Sequence, residues 1–389
     1  MMRESLPHPL FPRQSADERA RHRFLVEFKR LLASRHRSGI RRSLEKNTLP
    51  AFVASEGRAP RDSQEFKALL REDDYFRLWT ALARAQHRGY VDSTADCVER
   101  QAETLSEVAK AVARSSTRGS LRLDPSLVIP DYQAQLDVHC IPGGYFAELG
   151  PDDVYAGARY ELGITLYTLG THGVMNDSKG IAAVHYLKQR FAQFAPRRIL
   201  DLGCTAGNST LPYTDAWPEA EVHAIDLSAP CLRYAHARSE MLGRAIHYSQ
   251  QNAEHTDFPA GHFDLVVSHI LLHELSAEAL PKVFAECHRL LSPGGIMLHV
   301  EVPVRYSRLD AFEQALSDWD TDYNNEPFWE GLHATDLAAT ARAAGFAAGD
   351  IFDVDLDPAL MAFINRQPWM AFGAVRAADQ SAGDAGALV

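Results

Sequence analysis

The sequence predicts an α/β protein in which an all-helical domain precedes a doubly wound, mostly parallel sheet. Two observations predict this fold. Between residues 198 and 302, short apolar runs alternate with helical stretches, an order typical of a parallel sheet with helices on both faces. Earlier in the chain, apolar residues recur at helical spacing instead, as in FLVEFKRLLA and FKALLREDDYFRLWTALARAQ. Residues 21–135 are therefore assigned to the helical domain.

The first strand is predicted at residues 199–202, and it runs into a turn with two glycines. The stretch reads RILDLGCTAGNST, in which Gly203 and Gly207 let the backbone turn sharply and approach a ligand. The third glycine of a dinucleotide fingerprint is absent from the sequence at this turn. Asp201 stands at the strand end, where a carboxylate repels a pyrophosphate but accepts hydrogen bonds from an ammonium group. We therefore expect a nucleoside that carries a zwitterionic amino acid.

The next two strands supply the groups for a nucleoside. A second apolar run, residues 222–225, ends in Asp226, which is placed to accept hydrogen bonds from both ribose hydroxyls. A third strand-like run, residues 245–249, leads towards Asn252 and Ala253. There, a side-chain amide and a backbone N–H are placed to read an adenine edge.

The last strands of the predicted sheet bring a histidine to the same edge. A fourth strand at residues 263–268 is followed by His269, a helix at about residues 277–291, and a fifth strand at residues 296–302. Ligands bind such sheets at the carboxyl ends of the strands. Asp201, Asp226, Asn252 and His269 all fall there.

Five ordered motifs between about residues 180 and 372 resemble class I S-adenosylmethionine-dependent methyltransferases, of the type 11/12-like group with a Rossmann-like core. The motifs are LDLGCTAG, HAIDLS, QNAEHTDFP, HFDLVVSHILLHEL and LLSPGGIMLHVEVP. Thr205 departs from the family's usual glycine and Asn252 from its frequent aspartate. The resemblance implies S-adenosylmethionine as cofactor, with Asp201 and Gly203 at its methionine moiety, Asp226 at the ribose, and Asn252 and Ala253 at the adenine. The full set of expected cofactor-binding residues is Asp201, Gly203, Cys204, Thr205, Gly207, Asp226, Leu227, Asn252, Ala253, Glu254, Ser268, His269 and Tyr160.

Methyl transfer is an in-line displacement dominated by positioning, although an acceptor that must lose a proton needs a base. His269 is the first candidate because it directly follows the fourth strand and histidine titrates near neutral pH. His273 and Glu301 are the other candidates, and a buried histidine that is merely hydrogen-bonded is the alternative. No metal site is expected, because His269, His273 and Glu274 match the order of a His-Glu-x-x-His site only loosely.

Two segments outside the core are candidate lids. Residues 136–180 join the domains; they begin with a strand-like piece ending at Tyr145 and continue with polar aromatics such as Tyr160, whose alternative role is to pack at the domain seam. Residues 304–335, within the predicted cofactor-binding domain 181–375, combine acids, amides and aromatics and suit a cationic or amine-bearing acceptor. A capping loop with solvated acids is the alternative there. The expected substrate residues are Tyr145, Tyr323, Asn324, Glu326 and Trp329.

Composition narrows the function classes. The formal net charge of −11 argues against general nucleic-acid binding, although residues 1–50 carry a surplus of basic residues that suggests either a solvated helix face or a recruiting patch. The five cysteines show no zinc or iron–sulfur spacing. No run is long enough to span a membrane and no signal-peptide core is present, so a cytoplasmic protein is expected. Residues 1–20 and 376–389 are expected to be a flexible terminus and a disordered tail.

The sequence therefore predicts an enzyme that transfers a methyl group to an oxygen, nitrogen or carbon atom of a small molecule. The Asn/Asp-Pro-Pro-Tyr/Phe motif of enzymes that methylate nucleic-acid amino groups is absent after the fourth strand, as is a Pro-Cys pair. Two alternatives stay open: an RNA or protein methyltransferase that uses the basic helical domain for recruitment, and a non-catalytic protein that binds the cofactor. A homodimer is compatible with the sequence.

Overall fold

The computed structural model describes residues 8–173, 175–302, 306–360 and 368–378. Within these ranges the chain forms helical layers around one mixed sheet. The helices are α1 Ala16–Leu31, α2 Arg37–Ser43, α3 Leu49–Glu56, α4 Ser63–Glu72, α5 Asp74–Glu99, α6 Ala102–Ser115, α7 Asp131–Ala134, α8 Tyr155–Tyr167, α9 Ser178–Arg190, α10 Leu211–Ala216, α11 Ala229–Met241, α12 Ala279–Leu290, α13 Ala311–Asn324, α14 Trp329–Ala334 and α15 Leu337–Ala343. The strands are β1 Ser120–Arg122, β2 Arg198–Leu202, β3 Glu221–Asp226, β4 His247–Gln250, β5 Phe263–His269, β6 Leu291–Glu301, β7 Ile351–Asp355 and β8 Met370–Val375.

The strands of the described residues pair in the order β1-β4-β3-β2-β5-β6-β8-β7. All pairs from β1 to β6 are parallel, and β8 runs antiparallel to both β6 and β7. After the edge strand β1, the chain enters the middle of the sheet at β2, builds outwards through β3 and β4, and then returns to β5 on the other side of β2. Ligands bind at the carboxyl ends of the strands where the order reverses, which here is the edge between β2 and β5. The predicted fold class is confirmed.

Apolar residues cover both faces of the sheet, which explains why its strands read as continuous hydrophobic runs. Ile199 packs towards a core shared with α9, α10 and α11, whereas its neighbour Leu200 packs towards α12 and α15 on the opposite face. Both side chains are fully buried. The alternation fixes the register of β2 and so fixes the position of the turn that follows it.

The helices before the sheet form a layer that α13 completes. Phe76 and Trp79 of α5 pack in one core with Phe312 and Leu316 of α13, although almost the whole sheet lies between these segments in the sequence. A buried ion pair adds to this contact, because Lys67 Nζ of α4 lies 2.8 Å from the fully buried Asp318 Oδ2. The segment expected as an acceptor-side lid therefore belongs to the helical layer, as far as its described residues 306–335 show.

The structure differs from three local predictions. Residues 8–20, expected to be flexible, pack against the molecule: Leu10 is fully buried and α1 begins at residue 16 behind a Ser15 cap. The region assigned to the helical domain also contains β1, an edge strand of the sheet. The strand-like piece at residues 137–145 forms two 3₁₀ turns, because His139, Cys140, Gly143 and Gly144 all have positive φ. Residues 379–389 of the expected tail lie outside the described residues.

Candidate active site

A cavity lies at the carboxyl edge of β2, β3 and β5, between the sheet and the helices α5 and α8. It extends from the glycine turn after β2 to the aromatic residues of α8 and α14. Its position agrees with the rule for doubly wound sheets. The sequence-predicted residues that line it are Tyr145, Tyr160, Gly203, Thr205, Asp226, Leu227, Asn252, Ala253, His269, His273, Glu326 and Trp329.

The turn after β2 is a tight backbone loop held by Asp226. Gly203, Thr205 and Gly207 all have positive φ, at 68°, 48° and 71°. A positive φ is less favourable for threonine than for glycine, so Thr205 is a strained position in this turn. The backbone N–H of Thr205 donates to Asp226 Oδ2 at 2.9 Å, and this bond fixes the strained residue.

Asp226 ends β3 with its carboxylate on the cavity wall. Besides Thr205, the N–H of Ser228 donates to its other oxygen at 2.8 Å. Burial raises the pKa of Asp226 to about 6, although the two backbone donors lower it. Each carboxylate oxygen has a further lone pair, so the group retains capacity to accept hydrogen bonds from a ligand hydroxyl.

The loop after β4 presents Asn252 and Ala253 to the cavity. Asn252 Oδ1 accepts a bond from the N–H of Glu254 at 2.8 Å, so the side-chain NH₂ and the remaining lone pair are left for a ligand. Glu254 itself turns to protein partners, since it accepts bonds from Tyr132 at 3.1 Å and Lys282 at 2.9 Å.

Asp201 lies behind the cavity wall rather than on it. The hydroxyl of Thr210 donates to Asp201 Oδ2 at 2.6 Å, and His269 Nδ1 lies 3.3 Å from Asp201 Oδ1. On the other side of the ring, His269 Nε2 is 3.0 Å from the hydroxyl of the buried Tyr213. Tyr213 therefore occupies Nε2, whereas the 3.3 Å approach of Nδ1 to Asp201 is not a hydrogen bond, and His269 lines the cavity.

His273 forms the next wall, in the turn after β5. Its Nδ1 lies 2.7 Å from Glu301 Oε2, and Trp329 stacks on its ring with centroids 5.0 Å apart. Burial lowers the pKa of His273, but the Glu301 carboxylate outweighs this and raises it to about 9. Glu301 also accepts the N–H of Leu272 at 2.6 Å, so it anchors the whole turn.

The far end of the cavity contains four polar side chains in contact, of which His139, Tyr145 and Glu274 are joined by hydrogen bonds. His139 Nδ1 lies 2.6 Å from Glu326 Oε1, and its Nε2 lies 3.0 Å from the hydroxyl of Tyr145. That hydroxyl reaches Glu274 Oε1 at 3.2 Å. Burial raises the pKa of Glu274, although His273 and His139 nearby lower it. The buried Glu274 therefore binds a proton more readily than an ordinary carboxylate.

Eight predicted site residues do not line this cavity in the described part of the chain. Several of these residues instead make hydrogen bonds within the protein behind the cavity wall. Ser268 bonds His299 at 2.7 Å, the N–H of Cys204 bonds Ile225 at 3.0 Å, and Asn324 donates to the hydroxyl of Tyr167 at 2.9 Å. Tyr323 stacks on Trp319 with centroids 4.5 Å apart. The eight residues are Asp201, Cys204, Gly207, Glu254, Ser268, Glu301, Tyr323 and Asn324.

Sequence reasoning missed or underrated several residues of the cavity. From the sequence, Glu274 was considered only as part of a loosely matching metal arrangement, and no motif pointed to Arg159. The cavity residues that lie on helices could not be recognised from the sequence, because aromatic residues at helical spacing indicate packing as readily as a binding site. The residues are Tyr90, Tyr132, Gln133, His139, Phe146, Arg159, Tyr167, His172, Gln251, Glu274 and Trp369.

No group of three or more His, Cys, Asp or Glu side chains among the described residues is arranged to hold a metal ion. None of their helices combines the length and apolar character that crossing a membrane requires.

Comparison with known proteins places the sheet region in a family. Residues 199–295 match the model of the methyltransferase domain. The chain is 33% identical over 109 residues to demethylmenaquinone methyltransferase of Thermus thermophilus, covering 28% of this chain and 49% of that protein. It is 37% identical over 111 residues to trans-aconitate 2-methyltransferase of Methylobacterium radiotolerans, covering 28% of this chain and 39% of that one. The chain thus spans less than half the length of either relative.

Among solved structures, one similar chain is Haemonchus contortus phosphoethanolamine N-methyltransferase 2 in complex with phosphomonomethylethanolamine and S-adenosylhomocysteine. The sequences are 18% identical, the match covers 56% of this chain and 58% of that one, and the TM-score is 0.43.

The sheet order, the glycine turn and the family match define the class of this protein. The chain carries a class I S-adenosylmethionine-dependent methyltransferase domain, which is an enzyme domain with S-adenosylmethionine as its cofactor. The class and cofactor predicted from the sequence are confirmed.

Proposed function

We propose that the protein transfers a methyl group from S-adenosylmethionine to an oxygen, nitrogen or carbon atom of a small-molecule acceptor. One observation carries the proposal: a single cavity connects the glycine turn with a buried end lined by Tyr145, Glu274 and Trp329. The first end suits a nucleoside cofactor. The second end offers an acceptor polar groups within an aromatic enclosure, which is the usual construction of a small-molecule site.

The helical layer supports a small acceptor over RNA or protein. Residues from α5, α8 and α14 line the acceptor end, and a concave site lined by several helices suits a small molecule. Several basic side chains of the N-terminal helices also form ion pairs or hydrogen bonds within the chain. Arg21 pairs with Asp96 at 3.0 Å, Arg41 with Asp310 at 2.8 Å, and Lys29 donates to the carbonyl of Tyr167 at 2.9 Å.

The residues at the cofactor end fit the bound group. Asp226 has free acceptor capacity for ribose hydroxyls, and Leu227 and Ala253 provide apolar contact for a base. Gly203 lines the same end of the cavity, and a Cβ there would lie 2.8 Å from Leu271 Cδ1, so the turn needs glycine to lie this close to Leu271. When bound, S-adenosylmethionine supplies a methyl group that its sulfonium already makes electrophilic.

We assign the base, where the acceptor needs one, to Glu274. Its Oε1 accepts from Tyr145, its raised pKa suits proton uptake, and it lines the cavity. His273, with a pKa of about 9, is protonated at neutral pH and acts there as a donor. His269, whose Nε2 is held by the hydroxyl of Tyr213, lines the same cavity and helps to position the acceptor.

The test is incubation of the purified protein with S-adenosylmethionine labelled on its methyl group and a fractionated small-molecule extract, followed by mass spectrometry of the labelled product. Transfer to a metabolite, with Glu274→Gln slow and Asp226→Ala weak in binding S-adenosylhomocysteine, is the expected result. Tight binding of S-adenosylhomocysteine without transfer to any fraction would support the non-catalytic alternative. Transfer only when RNA or protein is added would support the recruiting alternative.

A further inference from the structure

Arg159 of α8 is a buried cation without a carboxylate partner. Its side chain lines the cavity, and the residue is only 5% exposed. No acidic side chain in the described part of the chain lies within ion-pair distance of its guanidinium. Within the described residues, Arg159 makes one hydrogen bond, from Nη2 to the carbonyl of Val91 at 3.1 Å. Its Nε is buried without a hydrogen-bond partner.

Two cations of the described residues that are buried or nearly so pair with a carboxylate, whereas Arg159 and Lys179 do not; Lys179 is 3% exposed, and its Nζ lies 3.4 Å from His172 Nδ1. Arg238 is fully buried and bonds Glu161 at 2.8 Å, and Lys67 bonds Asp318 at 2.8 Å. A buried charge without an opposite charge costs several kcal/mol, so proteins usually pair it or neutralise it. An arginine does not lose its proton in a protein, which leaves pairing with an anion as the way to offset the cost.

A second hydrogen-bond donor stands beside Arg159. Gly163 lies one turn further along the same face of α8, and the hydroxyl of Tyr90 fills the space there, 2.7 Å from where a Cβ would lie. Burial raises the pKa of Tyr90, so the hydroxyl stays protonated and can donate. Tyr155, whose ring centroid is 5.8 Å from the guanidinium, donates its own hydroxyl to Glu99 at 3.1 Å.

We propose that Arg159, with Tyr90 beside it, binds the carboxylate of a ligand in the cavity. The planar guanidinium offers two parallel N–H groups that match a carboxylate, whereas a lysine offers a point charge. The carboxylate belongs either to the methionine portion of the cofactor or to the acceptor. The inference rests on the proposed function, because it assigns a chemical group to the ligands of that same cavity.

The first arm of the test compares S-adenosylmethionine with decarboxylated S-adenosylmethionine by calorimetry. If the carboxylate is the cofactor's, the wild type binds the complete cofactor at least about 30-fold more tightly, the loss expected when one partner of a buried charge pair is removed. Arg159→Met then binds both compounds with the same affinity, and the preference of Arg159→Lys for the complete cofactor lies between those of the wild type and Arg159→Met. Because the comparison of the two compounds needs only the wild type, it stands even if a variant folds poorly.

The second arm uses protein saturated with S-adenosylhomocysteine and compares benzoate with benzamide, its uncharged counterpart. If the carboxylate is the acceptor's, benzoate binds the wild type and not Arg159→Met, while benzamide does not distinguish them. Arg233→Met, which removes an arginine that pairs with Glu148 outside the cavity lining, is the matched control and should resemble the wild type. The proposal is overturned if Arg159→Met keeps the wild-type preference in both arms. Failure of the wild type to bind either form of the cofactor would instead count against the proposed function.

Discussion

His273 and Glu301 form a buried pair in which Nδ1 lies 2.7 Å from Oε2, and neither residue is more than 2% exposed. The pair joins the turn after β5 to the end of β6. It thereby holds a cavity wall and, through stacking on His273, the position of Trp329.

We expect Glu301→Gln to destabilise the protein in a pH-dependent way. The folded pKa of His273, about 9, lies above its unfolded value, so the stabilisation is fully present below about pH 6.5 and is lost as pH rises through 9. The rise in the pKa of His273 sets an upper limit of about 3–4 kcal/mol for this contribution. Urea unfolding at pH 6, 8 and 10 measures it. A gap between variant and wild type that stays constant over this range would contradict the assignment.

We expect Glu274→Gln to lower kcat by about 10²- to 10⁴-fold for an acceptor that must lose a proton. The wild-type rate should rise with pH as Glu274 loses its proton. This rise, the acid limb of the pH–rate profile, should be absent from the variant, because the raised pKa of Glu274 no longer governs the rate. Initial rates from pH 5 to 9 provide the measurement. Glu278→Gln, four residues further on and exposed, is the control. An unchanged acid limb in the Glu274 variant would assign the base to another group.

Gly207→Ala should destabilise the protein more than Gly243→Ala. The two glycines have nearly the same φ, 71° and 73°, so the backbone strain of alanine is matched. A Cβ at residue 207 would lie 2.4 Å from the hydroxyl of Tyr248, whereas nothing lies within 4 Å at residue 243. Thermal unfolding and binding of S-adenosylhomocysteine should both separate the variants. Adding Tyr248→Phe should recover part of the loss at residue 207; equal losses at the two glycines would show that the contact is harmless.

Glu161→Gln should cost about 3–5 kcal/mol, because it leaves Arg238 buried without its counter-charge. Burial acts to raise the pKa of Glu161, but Arg238 and His8 hold it at about 2, so its contribution is present above pH 4.5 and lost as pH falls through 2. Glu27→Gln removes an exposed pair with Arg30 and should cost less than about 1 kcal/mol. Denaturant unfolding of both variants at pH 7 compares them, and similar losses would refute the reasoning.

The sheet and the cofactor edge were predictable because their signals are local. An apolar run such as residues 199–202 predicts a buried strand, and the glycines and Asp226 follow it at characteristic separations in the sequence. The acceptor end was not predictable in the same way. His139 meets Glu326 only because the joining region and the segment after β6 fold onto the same wall, and nothing near either residue announces that contact. Asp201 shows another limit: its place in the sequence was read correctly, but its carboxylate turned towards Thr210 and His269.

The contact between α4 and α13, which includes the Lys67–Asp318 ion pair, joins two distant stretches of sequence, and other residues of both stretches, Tyr90 in one and Glu326 and Trp329 in the other, line the cavity. Grafting the sheet of this protein beneath another helical layer, or exchanging the N-terminal helices alone, would separate these two stretches. Chimeras intended to transplant acceptor choice should therefore carry residues 16–115 and 306–335 together, because neither stretch holds the pattern of selectivity by itself.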